Sequence, residues 1–245
     1  MMRFGGGGGA LAFAGAFVLV WVGSDAGRAQ ERNGTEIIRR IDDATLTRHE
    51  TILGYTVREH YSVFRGGDQT HPAAEMTVET TYKKGAGKSY AIVSQSGSSI
   101  IRRFGLLPLL DQEKAINTPG TVEKSWFTSA NYEMQLKPGM TREIDGRTCI
   151  AVSMSPKRKA PNLIEGTLWV DAGDDSLVEM DGIPSKAPSI FAGRTQMMRQ
   201  YRNMNGFAMA TRARAESDSG WFGKTVVTIE YQDYKIDLRP ASQAH

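Results

Sequence analysis

Residues Glu165–Gly182 read EGTLWVDAGDDSLVEMDG. Leu168, Trp169 and Val170 form a β-favouring run, and Leu177, Val178 and Met180 form a second. Between them, Asp171-Ala172-Gly173-Asp174-Asp175 tolerates turn conformations. The stretch therefore predicts two strands joined by a polar turn. Leu168 and Val170 share one face by the two-residue strand period, which makes both candidates for an apolar inner surface.

Working outward, the same pattern recurs on both sides. Downstream, Gln196–Arg202, Phe207–Arg214 and the long Lys224–Ile236 read as strands, the last with Val227, Ile229 and Tyr231 on one face. Ser217–Gly223 is a turn presenting Trp221 and Phe222. Upstream, Tyr132, Met134 and Leu136 alternate with polar residues, and Pro138-Gly139 reads as a turn. Asp145-Gly146 is a strong hairpin signal, followed by Thr148, Ile150, Val152 and Met154 on one face. Pro156–Pro161 is an exposed basic loop. Nearer the amino terminus, Gly54 starts a strand with Tyr55, Val57, Tyr61 and Val63 on one side and Thr56, Arg58, His60 and Ser62 on the other. Glu75–Lys84 and Ser89–Gln95 follow as a meander. Such a succession of neighbouring strands predicts one broad antiparallel sheet.

Two stretches break the strand pattern. Thr35–Glu50 reads as a helix with Thr35 as its N-cap and Ile37, Ile38, Ile41, Ala44 and Leu46 as a rough apolar stripe. Asp42 and Asp43 are placed on its solvated side. Ile100–Asn117 contains the very apolar Phe104-Gly105-Leu106-Leu107-Pro108-Leu109-Leu110 and reads as a helical segment with Pro108 near a start or kink. Leu106, Leu107, Leu109 and Leu110 are too many large apolar side chains for an exposed connector. They need a greasy surface to lie on, either above a ligand cavity or as an ordinary cover for an open sheet.

The order Gly166-Thr167-Leu168-Trp169-Val170-Asp171, then Tyr201–Gly206, then a closing strand ending Tyr231-Gln232-Asp233-Tyr234 resembles the outer-membrane lipoprotein-sorting proteins, the LolA-like superfamily of periplasmic carriers. The resemblance implies a mainly β (α+β) fold: an unclosed antiparallel half-barrel with an N-terminal helix and a short helical lid over its concave face. It also implies binding of acyl chains. In that family an arginine near the second or third strand latches the lid. Here Thr81-Tyr82-Lys83-Lys84-Gly85 offers lysines instead, with Arg102 and Arg103 further on.

The chain of 245 residues opens with Arg3, an apolar run Ala10–Val22 and a small-x-small site Gly27-Arg28-Ala29, the grammar of a secretory signal cut after Ala29. That leaves about 216 residues, one generous all-β domain over 30–238, with 239–245 a loose tail. A formal charge of +3 with dispersed basic residues argues against nucleic acid. Cys149 is the only cysteine, so no internal disulfide forms, and its strand-like setting reads as a small buried hydrophobe. His49, His60, His71 and His245 show no metal-ligand spacing, and the Asp171–Asp175 turn lacks the ligand order of a calcium loop. No nucleophile elbow, P-loop or dinucleotide fingerprint occurs. No catalytic residues, metal or cofactor are therefore expected, and the protein is not expected to be an enzyme.

The expectation is a monomeric periplasmic carrier for acyl chains of a lipoprotein or lipid, working between an inner-membrane donor and an outer-membrane acceptor. Its cavity and lid would use Leu106, Leu107, Leu109, Leu110, Tyr132, Met134, Leu136, Leu168, Val170, Val227, Ile229 and Tyr231. The other readings are a lipoprotein-sensing or interaction domain of the RseB kind, and a solid-cored structural protein. Amino-terminal sequencing of the exported product should return Gln30 as its first residue; a product that retains Ala10–Val22 would overturn the signal reading.

Overall fold

The computed structural model describes residues 25–186, 194–219 and 223–240, the side chains of 25–32 and 219 excepted. The apolar run Ala10–Val22, the Trp221-Phe222 turn and residues 241–245 of the tail lie outside the described residues. The described part of the chain begins with helix α1 (Asp25–Thr51), then strands β1 (Ile52–Arg65), β2 (Ala74–Lys83) and β3 (Gly87–Gly97). A helical segment follows: α2 (Ser99–Ile101), a π turn (Arg102–Leu106) and α3 (Leu107–Ile116). Strands β4 (Tyr132–Ile144), β5 (Arg147–Pro156), β6 (Ile164–Asp171), β7 (Leu177–Pro184), β8 (Arg194–Met204), β9 (Phe207–Ser219) and β10 (Gly223–Leu238) complete it.

All ten strands belong to one antiparallel sheet in the order β3-β2-β1-β10-β9-β8-β7-β6-β5-β4. Only the β1–β10 pairing joins distant parts of the chain; every other neighbour is consecutive in sequence. The outermost strands, β3 and β4, do not pair with each other, so the barrel is unclosed, as expected. The β6–β7 hairpin forms as read, with Asp175 at φ 56° in its turn. Asp145-Gly146 turns with φ 50° and 75°, and Asn205-Gly206 with 55° and 87°, the paired left-handed geometry that two-residue hairpins need.

Two covers lie on the concave face. Ile37 and Ile41 of α1 pack with Tyr132, Val152, Met154, Leu168, Val170 and Met180, over the β4–β7 half. Leu106 and Leu110 pack with Tyr61, Val63, Met76, Val78, Val227 and Ile229, over the β1, β2 and β10 part. The convex side carries a smaller cluster of Ile144, Cys149, Ala151, Trp169 and Val178. Trp169 therefore faces away from Leu168 and Val170. Its Nε1 donates to Asp181 at 2.6 Å, and the Arg142 guanidinium sits 4.2 Å from its ring. Cys149 is fully buried there, as expected of a small hydrophobe.

Several local expectations need correction. Pro138-Gly139 does not turn the chain: β4 runs through it, with a register shift between Lys137 and Thr141. β4 is an edge strand, so the missing proline N–H removes no ladder bond, and a bulge absorbs the kink. Helix α1 does not start at a Thr35 N-cap but at Asp25. Gly34 does not break it, because a close approach to β4 uses the missing side chain: a Cβ there would lie 3.3 Å from Leu136 Cβ. Leu46 is exposed and lies off the packed stripe, whereas Ala44 follows the Ile37 and Ile41 face and is accessible because it borders open space on the concave side. Asp42 is not merely solvated: it accepts from Ser129 N at 2.8 Å and from Ser129 Oγ at 2.5 Å, tying α1 to the loop before β4.

Gly166 and Gly182 face each other across β6 and β7. A Cβ on Gly166 would sit 2.0 Å from the Asp181 carbonyl oxygen, which is backbone and cannot swing aside. Gly166→Ala should destabilise the protein by about 1–3 kcal/mol, read as a lower urea midpoint.

Candidate functional site: a covered cavity on the concave face

The two covers do not meet. Between them, over β8, β9, β10 and β1, lies a cavity of about 540 Å³, inside the range of roughly 300–1,000 Å³ common for small-molecule sites. On its floor, β9 contributes Ala208 and Ala210, paired with Asn203 and Tyr201 of β8. Its apolar walls are Ile41 from α1, Leu109 and Ile116 from α3, Phe127 from the loop before β4, and Met180 and Met197 from β7 and β8. Tyr55, Tyr231 and Tyr234 close one end; the rings of Tyr55 and Tyr234 lie 5.8 Å apart and Tyr55 stacks on Tyr82 at 5.1 Å.

The centre is charged. Glu113 of α3 accepts from Lys88 Nζ of β3 at 3.0 Å and lies 3.6 Å from the Arg199 guanidinium of β8. The Lys88 ammonium holds Glu113 down at about 2, against burial, with Arg199 adding to the effect. Burial opposes the charge of Lys88, but Glu113 beside it overrides burial and raises its pKa well above the usual lysine value. The helix over the cavity is thus tied to the sheet at two strands far apart in the sheet order.

Glu59 of β1 is buried beside this pair. One carboxylate oxygen accepts from the Tyr61 hydroxyl, and the other has no hydrogen-bond partner among the described residues. Arg48 of α1 also lines the cavity. Its Nη2 reaches the Met209 sulfur at 3.7 Å, its Nε has no partner, and it forms no ion pair among the described residues. A guanidinium with a buried, unpartnered Nε and no carboxylate beside it favours an anion from outside the chain.

Of the residues expected at the site, Leu109 and Tyr231 line the cavity. Leu106 and Leu110 are buried against the sheet with Val227 and Ile229, and Leu107 packs beside them. Tyr132, Leu168 and Val170 are buried beneath α1, with Met134 and Leu136 packed against that cluster. All twelve thus sit on the concave side or on the helix over it, but ten of them fill its two flanks and two face the gap.

The charged centre was missed. Its signal lies in the strand period: Glu59 shares a face with Val57 and Tyr61, Lys88 with Tyr90, and Arg199 with Met197 and Tyr201. A charge in the apolar register of a strand marks a buried partner, and three such residues on separate strands converge here. The lysines at 83–84 do not hold the lid: Lys84 Nζ donates to the carbonyls of His49 at 2.9 Å and Glu50 at 3.3 Å, closing the end of α1. Among the described residues, no group of three or more His, Cys, Asp or Glu side chains could hold a metal ion.

No protein-family model matches the chain, and no curated protein matches it. Solved structures do. It is similar to a putative outer membrane lipoprotein-sorting protein domain from Vibrio parahaemolyticus, at 12% identity and TM-score 0.48 over 84% of this chain and 93% of that one. It is similar to a LolA superfamily protein from Nitrosomonas europaea, at 13% and 0.47 over 85% and 96%. A DUF1329 family protein from Desulfovibrio piger follows at 13% and 0.44 over 87% and 95%. Likenesses this distant say nothing of cargo or activity.

The tie through Glu113 has a definite pH window. Its carboxyl is depressed from the ordinary 4.5 to about 2, so its contribution is complete above about 4.5 and is lost as pH falls through about 2. Glu113→Gln should reproduce the loss at neutral pH. Charge-assisted hydrogen bonds contribute about 1.5–3 kcal/mol, so amide exchange in α3 should accelerate roughly tenfold or more while β10 keeps its protection.

Proposed function

We propose that the protein is an exported carrier that holds an acyl chain of a lipid or lipoprotein in the concave-face cavity and releases it when α3 lifts. The observation that carries this reading is the cavity itself: a lined space of about 540 Å³ left between two helical covers that otherwise pack the sheet tightly. A solid-cored structural protein would have no reason to set alanines at 208 and 210 beneath it. Each buried methylene contributes about 0.8 kcal/mol, so one long chain supplies enough binding free energy without any specific polar contact.

The chain would lie against Leu109, Ile116, Phe127, Met180 and Met197, with methionines adapting to its bends. Arg48 would take an anionic end group, having no carboxylate of its own. Entry and release require the Glu113 contacts to Lys88 and Arg199 to part, which places the control of the cavity on one helix.

Stoichiometric uptake of a fluorescent long-chain fatty acid tests the reading. Ala210→Trp should fill the floor and cost at least the burial of two methylenes, about tenfold in Kd at 1.4 kcal/mol per decade, with little change in the urea midpoint. Wild-type protein that takes up no acyl probe at micromolar concentration would overturn the carrier reading.

A further inference from the structure

Residues 80–110 carry five cations, Lys83, Lys84, Lys88, Arg102 and Arg103, and no aspartate or glutamate. Lys84 and Lys88 are used inside the fold. Neither Arg102 nor Arg103 forms an ion pair among the described residues. Arg102 Nη1 donates to the Gly97 carbonyl at 2.7 Å, fixing the start of the lid to the end of β3, and the Arg103 guanidinium lies 5.5 Å from the Phe104 ring.

The same stretch holds most of the exposed large hydrophobic side chains of the described residues. Four of six lie in it: Ile92 at 44% exposure, Val93 at 59%, and Ile100 and Phe104 at 69% each. Ile100 and Phe104 stand four residues apart in the helical segment and so project from one side of it. Lys88 bonds Glu113 at 3.0 Å and Tyr90 bonds Asp111 at 2.7 Å, so β3 and α3 run past each other in opposite directions. The next residue on that face, Ile92, comes opposite the start of α3, beside the π turn that carries Phe104. The four side chains thus border one edge of the molecule, where the lid meets the unpaired strand β3.

We infer that this border is a docking surface for a lipid bilayer bearing anionic headgroups. Aliphatic and aromatic side chains beside Arg102 and Arg103, on a stretch that carries no acid of its own, suit the boundary between acyl chains and phosphates. Addition of a partner strand to β3 fits less well. Val93 is an extra residue at a register shift, with Ile92 opposite Val78 and Ser94 opposite Thr77, and such a bulge interrupts the hydrogen-bonding ladder at the middle of the edge. The docked orientation would set the lid, and the cavity behind it, against the membrane. The surface stands apart from the carrier reading, because vesicle binding and acyl uptake are separate measurements.

The exported protein, purified from the soluble fraction, is sedimented with vesicles of phosphatidylethanolamine and phosphatidylglycerol, and with vesicles of phosphatidylcholine alone. The expected result is binding to the first that weakens as salt rises, and much weaker binding to the second. Ile100→Ser with Phe104→Ser, and separately Arg103→Glu, should each lower the partition coefficient at least tenfold. Both variants should keep the wild-type urea midpoint and acyl uptake, since the altered side chains are exposed. Wild-type protein that does not sediment with anionic vesicles, or variants that sediment as well as wild type, would overturn the proposal. So would a dimer in solution that Phe104→Ser dissolves, which would make the border a contact between copies of this chain.

Discussion

An antiparallel sheet of ten strands that curls without closing leaves one apolar concave face, and water must be kept from it. The rest of this structure answers that constraint. Helix α1 covers the β4–β7 half and the segment through α3 covers the other. Neither helix is wide enough to meet the other, because the sheet is much broader than a helix diameter of about 10–12 Å. A gap over the central strands is the geometric result, and small residues on β9 deepen it into a cavity.

The gap also explains why charges sit on the apolar face. Glu113, Lys88 and Arg199 join α3 to β3 and β8, strands five places apart in the sheet order. An apolar contact would slide; a charge pair desolvated on both sides fixes one position and breaks as a unit. α3 is therefore seated on leucines at its start and held by charge further along, an arrangement suited to a cover that opens from one end. The border where this cover meets β3 is also where exposed apolar side chains and unpaired arginines collect.

Much of the fold was legible because strands advertise themselves in pairs of facts: a period of two, and a turn residue where the chain reverses. The Asp145-Gly146 and Asp171–Asp175 turns placed two hairpins correctly, and Leu168 with Val170 and Val227 with Ile229 share faces, which the structure turns toward the two covers. The exceptions have local causes. Pro138-Gly139 carries turn residues but lies on an edge strand, where a bulge tolerates them. Thr35 reads as an N-cap, but α1 runs on through Gly34, whose missing side chain admits the close approach of Leu136.

What the sequence alone determined was the strand succession, the two interrupting helical segments and which residues of a strand share a face, since all three follow from periodicity and turn chemistry within short windows. The tertiary structure decided which inward residues touch a cover and which face empty space. That difference separates Leu109 from Leu110 and Tyr231 from Ile229. The convergence of Glu59, Lys88, Glu113 and Arg199 was decided there too. These residues come from strands and a helix far apart in the chain, and only the β1–β10 pairing and the curl of the sheet bring them together.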